Sequence, residues 1–195
     1  MRDRQPTLAH STVHLRPARP EDWSALFAAA SDPAIWAGHP AHDRWREPVF
    51  RAFFEEGLAS AGMLVAIEPG SGAIIGSSRY DLARVAAGEV EVGWTFLVRR
   101  HWGGTTNHAM KALMVGHALE QVERVIFIIG ETNLRSRTAI ARIGALRTDR
   151  RMTVQLSTGR TQHLCFTLDR PAFAAGPLAR LWAQRVPKPT GSADC

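Results

Sequence analysis

The sequence lacks the features that would tie it to a membrane, a secretory route or a disulfide scaffold. Its two cysteines, Cys165 and Cys195, are too few for a disulfide framework. No uninterrupted apolar run approaches the ~20 residues that a membrane-spanning helix needs. The N-terminal segment MRDRQPTLAHSTVH lacks the apolar core of a secretion signal. We therefore predict a cytoplasmic protein with no membrane partner.

Lysine is also scarce. Lys111 and Lys188 are the only lysines, so arginine provides almost all of the basic charge behind the net +6. The arginines are scattered along the chain, and neither zinc-finger spacing nor an aromatic-rich RNA-binding motif occurs. We therefore do not expect nucleic acid as a partner. A mild positive field would still attract a polyphosphate ligand.

The 195 residues, 45% hydrophobic and 22% charged, are enough for one soluble domain with a tail. Alternating or β-branched runs predict strands near residues 12–16, 63–68, 73–80, 89–98, 124–130, 146–156 and 160–168. Helical spacing of apolar residues predicts helices near residues 21–31, 46–61, 105–122 and 133–143, with a loop over 32–43. This order indicates an α/β sheet with helices on its faces. We expect the domain to span 12–170, and a tail over 171–195 with a short helix near 178–185 and a mobile end.

The junction between the fourth predicted strand and the long helix is the most informative stretch. Residues 99–111 read RRHWGGTTNHAMK, with a glycine-containing turn before the helix. Such a turn leaves backbone N–H groups unpaired at the positive end of the helix dipole, where a phosphate-bearing ligand can bind. The segment is neither a Walker loop nor a Rossmann fingerprint. A tight strand-to-helix connection without a ligand is therefore the alternative at this point.

Four segments follow one another in a recognisable order. They are HLRP and PED within 14–22, EVGWTFL at 91–97, the loop Trp102–Asn107 with Lys111, and NLRSRTA at 133–139 followed by IGA at 143–145. Together they resemble the GNAT superfamily of N-acetyltransferases, and most of all its RimJ/RimL-like branch. The resemblance covers residues 12–170. It implies a mixed, mostly antiparallel central sheet of about seven strands, with helices on both faces and a splay between strands 4 and 5.

The resemblance also implies acetyl-coenzyme A as the acyl donor, a co-substrate, and no metal. In this family the pantetheine arm enters the splay and pairs with the backbone of the fourth strand. By position in the family's pattern, Phe96, Leu97 and Val98 would make those main-chain contacts. Asn133 would reach the same arm, and Ser136 would lie near the thiol sulfur. The pyrophosphate would rest on the turn formed by Trp102, Gly103, Gly104, Thr105, Thr106 and Asn107.

Acetyl transfer to an amine requires the amine to lose a proton and the leaving thiolate to gain one. We predict Glu91 as the base, directly or through a water, because this family often keeps an acid there. Glu89 lies on the same strand face and is the alternative, and either could simply pair with an arginine. Many relatives use a tyrosine as the proton donor, but the only tyrosine, Tyr80, lies on an earlier strand. Ser136 is therefore assigned to orienting the thiol, although a plain first-turn role would also explain it.

The sequence thus predicts an N-acetyltransferase that acts by direct attack in a ternary complex on a primary amine, either a small molecule or a peptide. The alternative is a GNAT-like module that holds coenzyme A without turnover. It is favoured by the threonine-rich loop, by the missing tyrosine and by Ala109, which stands where the family often has a glutamate. A basic protein associated with nucleic acid is a third, weaker hypothesis. His39 and His42 lack a third, distant partner, so we predict no metal site. A homodimer is left open.

Overall fold

The element boundaries follow from local patterns along the chain. The computed structural model describes residues 1–187. Its strands are β1 (Leu8–His10), β2 (Val13–Pro17), β3 (Met63–Ile67), β4 (Ile74–Asp81), β5 (Glu89–Leu97), β6 (Arg124–Gly130), β7 (Leu146–Leu156) and β8 (Gly159–Asp169). Its helices are α1 (Trp23–Ala30), α2 (Pro33–Trp36), α3 (Glu47–Ala59), α4 (Thr105–Leu119), α5 (Leu134–Arg142), α6 (Arg170–Ala175) and α7 (Leu178–Ala183).

The eight strands form one sheet in the order β1-β2-β3-β4-β5-β6-β8-β7. All pairs are antiparallel except β5 with β6, which is parallel. The predicted mixed, mostly antiparallel sheet is therefore confirmed, with eight strands where about seven were expected. The additional strand, β1, has three residues and is too short to show an alternating pattern.

Helices cover both faces of the sheet, as predicted. Helix α4 packs on one face with side chains from most strands, and Phe173 of α6 and Leu178 of α7 join that core. Helices α1, α2 and α3 build a second core on the other face, rich in aromatic rings such as Trp36, Phe50 and Phe96. Each face of the sheet thus buries one hydrophobic layer.

Short elements flank the predicted domain on both sides. Strand β1 precedes residue 12, and α6 and α7 follow residue 169, with Val186 donating its N–H to the carbonyl of Ala9 at 2.8 Å. The helix predicted near 178–185 is present as α7. The mobile end predicted for the tail lies outside the described residues.

The predicted splay lies between β5 and β6. These strands pair only at Glu89, Val90 and Glu91, which face 124–126. Beyond Glu91 the strands part, so the rest of β5 leaves a row of backbone groups without a partner strand on that side. A gap therefore opens in the middle of the sheet.

A bulge in β5 lies where the gap begins. Arg79 pairs with Gly93 and Ser77 with Phe96, so Ser78 faces two residues, Trp94 and Thr95. Trp94 has φ +51°, a left-handed conformation that bulky residues rarely adopt. The guanidinium of Arg79, 3.6 Å from the Trp94 ring centroid, holds it there. Such a bulge bends and twists its strand, which separates β5 from β6.

Candidate active site

The gap between β5 and β6 opens into a cavity of about 640 Å³. Its walls come from the second half of β5, the turn before α4, the end of β6 and the start of α5. The opposite wall is made by Ile35 and Trp36 of α2, His39 and Arg44. Most of the predicted site residues therefore line one cavity, although they come from three separate segments of the chain.

The N-terminus of α4 forms the mouth of this cavity. Gly104 is the N-cap residue and provides no side-chain cap, and the N–H groups of Thr105, Thr106 and Asn107 have no acceptor within residues 1–187. Gly103 has φ +70°, and nothing lies within 4 Å of where its Cβ would be. The three amides therefore point into open space at the positive end of the helix.

The predicted loop residues divide into two groups at this mouth. Trp102, Gly103, Gly104 and Asn107 line the cavity, whereas Thr105 and Thr106 do not. Thr106 is buried and its hydroxyl lies 3.2 Å from Nδ1 of His101. The two threonines can therefore offer their backbone amides to a ligand, but their side chains lie outside the cavity.

The edge of β5 offers fewer free groups than expected. Val98 donates its N–H to Ile75 of the β4 side, and since strand groups alternate in direction, Leu97 directs its own toward the gap. The carbonyl of Leu97 accepts a hydrogen bond of 2.8 Å from the indole of Trp102. The N–H of Leu97 is therefore available to hydrogen-bond with a ligand arm in the gap, whereas its carbonyl is not.

Asn133 and Ser136 lie at the N-terminus of α5, beside the end of β6. The Asn133 side chain is 4% exposed and its Oδ1 accepts the N–H of Ser136 at 3.1 Å, so Asn133 caps the helix. Both residues line the cavity. Capping occupies the Asn133 oxygen and leaves its amide N–H groups for a ligand.

The two candidate carboxylates have different surroundings. Glu91 lines the cavity, is 1% exposed and accepts two hydrogen bonds from Arg84, of 2.7 Å to Oε1 and 3.1 Å to Oε2. Burial raises the pKa of Glu91 to about 7, although Arg84 acts in the opposite direction. Each carboxylate oxygen keeps a free lone pair for an amine or a bridging water.

Glu89 does not line the cavity. Its carboxylate pairs with Arg150 at 2.8 Å and with Arg124 at 3.8 Å. Burial by itself would raise the pKa of Glu89, but the hydrogen bonds from Arg150 and from the Ala86 N–H hold it below its ordinary value. The geometry therefore favours Glu91 over Glu89 as a base that is poised near neutral pH.

Lys111 is a residue of the cavity to which the sequence analysis assigned no role. It is 4% exposed, and its Nζ donates a hydrogen bond of 2.7 Å to Oγ1 of Thr95 in the bulge. The Nζ also lies 5.7 Å from the Phe127 ring centroid, and no ion pair forms within the described chain. Burial lowers the pKa of Lys111 to about 7. In the sequence, the signal for a functional Lys111 was its position among apolar residues of a predicted helix, in a chain whose basic residues are almost all arginine.

Within residues 1–187, no group of three or more His, Cys, Asp or Glu side chains is arranged to hold a metal ion. Across the same residues, none of the helices has the length and apolar character to cross a membrane.

Comparisons with known proteins agree with this geometry. The family profile described as "Acetyltransferase (GNAT) domain" matches residues 12–146. No curated protein matches the chain significantly. A GCN5-related N-acetyltransferase from Brucella melitensis is similar in structure, with a TM-score of 0.77 at 15% identity, covering 92% of this chain and 84% of that one.

Two other solved structures resemble the chain at comparable distance. RimJ from Mycobacterium smegmatis, in complex with CoA-disulfide, has a TM-score of 0.65 at 18% identity and covers 91% of this chain and 92% of its own. An acetyltransferase from Agrobacterium tumefaciens has a TM-score of 0.64 at 20% identity, covering 85% and 95%. At these identities the likeness establishes a shared fold.

Proposed function

The chain belongs to the GNAT acetyltransferase family, and from that premise we propose that it transfers the acetyl group of acetyl-coenzyme A to a primary amine. Members of this family are acetyl-transferring enzymes, and N-acetylation with acetyl-coenzyme A is general among them. The observation that supports the proposal most directly is the gap between β5 and β6, which ends beside the bare N-terminus of α4. The four sequence segments and the likeness to RimJ support the RimJ/RimL-like branch as part of this proposal.

The residues of the cavity fit acetyl-coenzyme A. Three unpaired amides and the helix dipole suit a pyrophosphate, and the missing Cβ atoms at Gly103 and Gly104 leave room for its close approach. The open edge of β5 offers the N–H of Leu97 to an amide of the pantetheine arm, and Asn133 offers its amide nitrogen from the opposite wall. When bound, acetyl-coenzyme A supplies an acetyl group activated as a thioester.

The closed end of the gap holds the groups that can move protons. Glu91 accepts the proton of the attacking amine, directly or through a water, because its pKa of about 7 leaves much of it ionised at neutral pH. Lys111 lies at the same end, bonded to Thr95 of the bulge, and its Nζ can donate a proton to the sulfur as the thiolate leaves. Ser136, on the other wall, orients the thiol. Direct attack in a ternary complex then needs no covalent enzyme intermediate.

Release of free thiol from acetyl-coenzyme A, followed across a panel of amines, tests this function. We expect at least one class of amine to accelerate thiol release and to be recovered with an added acetyl group. Calorimetry with coenzyme A, measured in parallel, reports binding alone. Tight binding without thiol release for any amine would instead indicate a module that holds coenzyme A without turnover. Absence of both would contradict the proposal. A cytoplasmic location stays a prediction from the sequence.

A further inference from the structure

The wall of the cavity opposite α4 carries an arginine with no anionic partner. Arg44 lies in the loop between α2 and α3, where its guanidinium carbon is 4.8 Å from the Phe53 ring centroid and 5.7 Å from that of Trp36. Within residues 1–187 it makes neither a hydrogen bond nor an ion pair. Two aromatic rings therefore hold this side chain by cation–π contact and leave its five N–H donors unused.

The charge of Arg44 persists although its surroundings oppose it. Burial, and then the charge of Arg79, lower its pKa to about 10, although the more distant carboxylates of Glu56 and Asp43 act in the opposite direction, so it is still protonated at neutral pH. Arg44 is half-buried, lines the cavity and has no hydrogen-bond acceptor within residues 1–187. An anion supplied from outside the chain would accept the hydrogen bonds that Arg44 does not make within it.

No carboxylate of the cavity is available to be that anion. Glu91 is the only acidic side chain in the cavity wall, and Arg84 already holds both of its oxygens. The other cation on this side, Arg135, donates to the carbonyl of Ile35 at 2.7 Å and stacks on Trp102 at 4.1 Å. The cavity wall, which also includes Arg84, Lys111 and Arg142, thus carries more positive than negative side chains, and Arg44 is part of that excess.

The neighbouring histidines are affected by this charge but do not neutralise it. Burial, and then Arg44, lower the pKa of His39 to about 3. Burial also lowers the pKa of His163, helped by the charges of Arg84 and Arg44 and opposed by its hydrogen bond to the Thr161 carbonyl, and His163 lines the cavity together with His39 and Arg44. Both histidines are therefore neutral at pH 7. They can accept or donate hydrogen bonds there, but they provide no counter-charge.

We propose that the acceptor is an amine that also bears a carboxylate, and that Arg44 binds this carboxylate while the amine faces Glu91. This inference rests on the proposed acetyl transfer and names its substrate class. A guanidinium binds a carboxylate through two parallel N–H···O bonds, which fixes orientation as well as affinity. A polyamine would bring more positive charge into a wall that already has an excess of it, so the same feature disfavours polyamines.

The test compares paired acceptors that differ only in the carboxylate. Each amino acid is assayed against its carboxamide, and dipeptides with a neutral or an acidic second residue distinguish a free carboxylate from a side-chain one. For wild type we expect kcat/KM to be about 10–100-fold higher for the member that carries the carboxylate, as charge-assisted pairs typically provide. Arg44→Gln should reduce that ratio to near one, mainly because the KM of the carboxylate-bearing member rises.

A matched control comes from α3. Arg51 also stacks on an aromatic ring, 3.9 Å from the Trp23 centroid, but it does not line the cavity. Arg51→Gln should therefore leave the ratio unchanged. Arg44→Lys, which keeps the charge but loses the two-pronged geometry, should fall between wild type and Arg44→Gln.

A binding measurement separates this inference from the function on which it rests. Calorimetry with N-acetylated amino acids and their carboxamides, in the presence of coenzyme A, needs no turnover. Weaker binding of the carboxylates to Arg44→Gln supports the anion site even if no acceptor in the panel reacts. Equal affinity of wild type for both members of each pair, or an equal loss for both in Arg44→Gln, overturns the inference whether or not thiol is released.

Discussion

At the scale of single residues, the cavity holds two buried titratable groups whose pKa values are shifted toward each other. Burial raises the pKa of Glu91 to about 7 and lowers that of Lys111 to about 7. Opposite shifts have one cause, because a low-dielectric site disfavours the charged form of either group. Shifts of this kind are typical of groups that exchange protons near neutral pH.

Replacing Glu91 with glutamine tests its role as the base. A carboxylate base works only when ionised, so the wild-type rate should fall as the pH drops through about 7. We expect Glu91→Gln to lower kcat by about 10²–10⁴-fold and to remove this acidic limb of the pH–rate profile, with coenzyme A binding unchanged. Glu89→Gln is the control and should keep the limb. Loss of the limb in Glu89→Gln alone would assign the base to Glu89.

Replacing Lys111 with methionine should separate stability from activity. Below about pH 7 both the folded and the unfolded chain are protonated at this residue, so the fold bears the full cost of the buried charge. Between about 7 and 10.5 only the unfolded chain keeps the proton, so this contribution to stability improves as the pH rises.

Methionine of similar volume removes that cost, so Lys111→Met should gain about 3–5 kcal/mol at pH 7 by chemical denaturation. Its kcat should fall by about 10²–10³-fold without loss of coenzyme A binding. Thr95→Val, which keeps Lys111 but removes its hydrogen bond to Thr95 together with the contact between Thr95 and Ser78, is the matched variant and should have a smaller effect on kcat. A less stable Lys111→Met variant with normal kcat would show that the residue is purely structural.

At the scale of secondary-structure elements, the turn before α4 connects backbone conformation to ligand binding. Gly103→Val places a side chain at φ +70° and beside the amides of the helix N-terminus. We expect coenzyme A affinity to fall at least tenfold by calorimetry, because the side chain blocks backbone approach to the pyrophosphate.

The hairpin between β3 and β4 provides the control for this change. Gly70 has φ +88° and open space at its Cβ position, so Gly70→Val introduces similar strain of ~1–2 kcal/mol at a residue that does not line the cavity. It should lower stability without affecting coenzyme A binding. Equal losses of affinity in both variants would mean that strain, and not blocked approach, weakens binding.

At the scale of the whole molecule, α7 closes the core on the α4 side. A Cβ added at Gly116 of α4 would overlap the ring of Trp182 in α7. Gly116→Ala should therefore cost about 1–3 kcal/mol in the free energy of unfolding. In a Trp182→Ala background the same change should cost almost nothing, or stabilise the helix slightly. An equal cost in both backgrounds would show that α7 does not pack on α4 in solution.

Much of the fold could be predicted because its signals are local. Apolar spacing located the four longer helices and seven strands to within a few residues. Helix α2 was wrongly expected to be loop, although Asp32 caps it and Pro33 starts it, because four residues are too few to show a period. The three-residue β1 was missed for the same reason.

The sequence by itself therefore determined the order and type of the elements, the turn that bares the N-terminus of α4 and the residues that border the gap. Only the tertiary structure decided the state of the charged side chains in the cavity. Arg84 reaches Glu91 from a hairpin, Lys111 is buried against β5 and β6, and Arg44 lies between rings from two helices. Burial and charge depend on neighbours that are distant in the chain, so a local pattern specifies which groups are present but not their pKa values or partners.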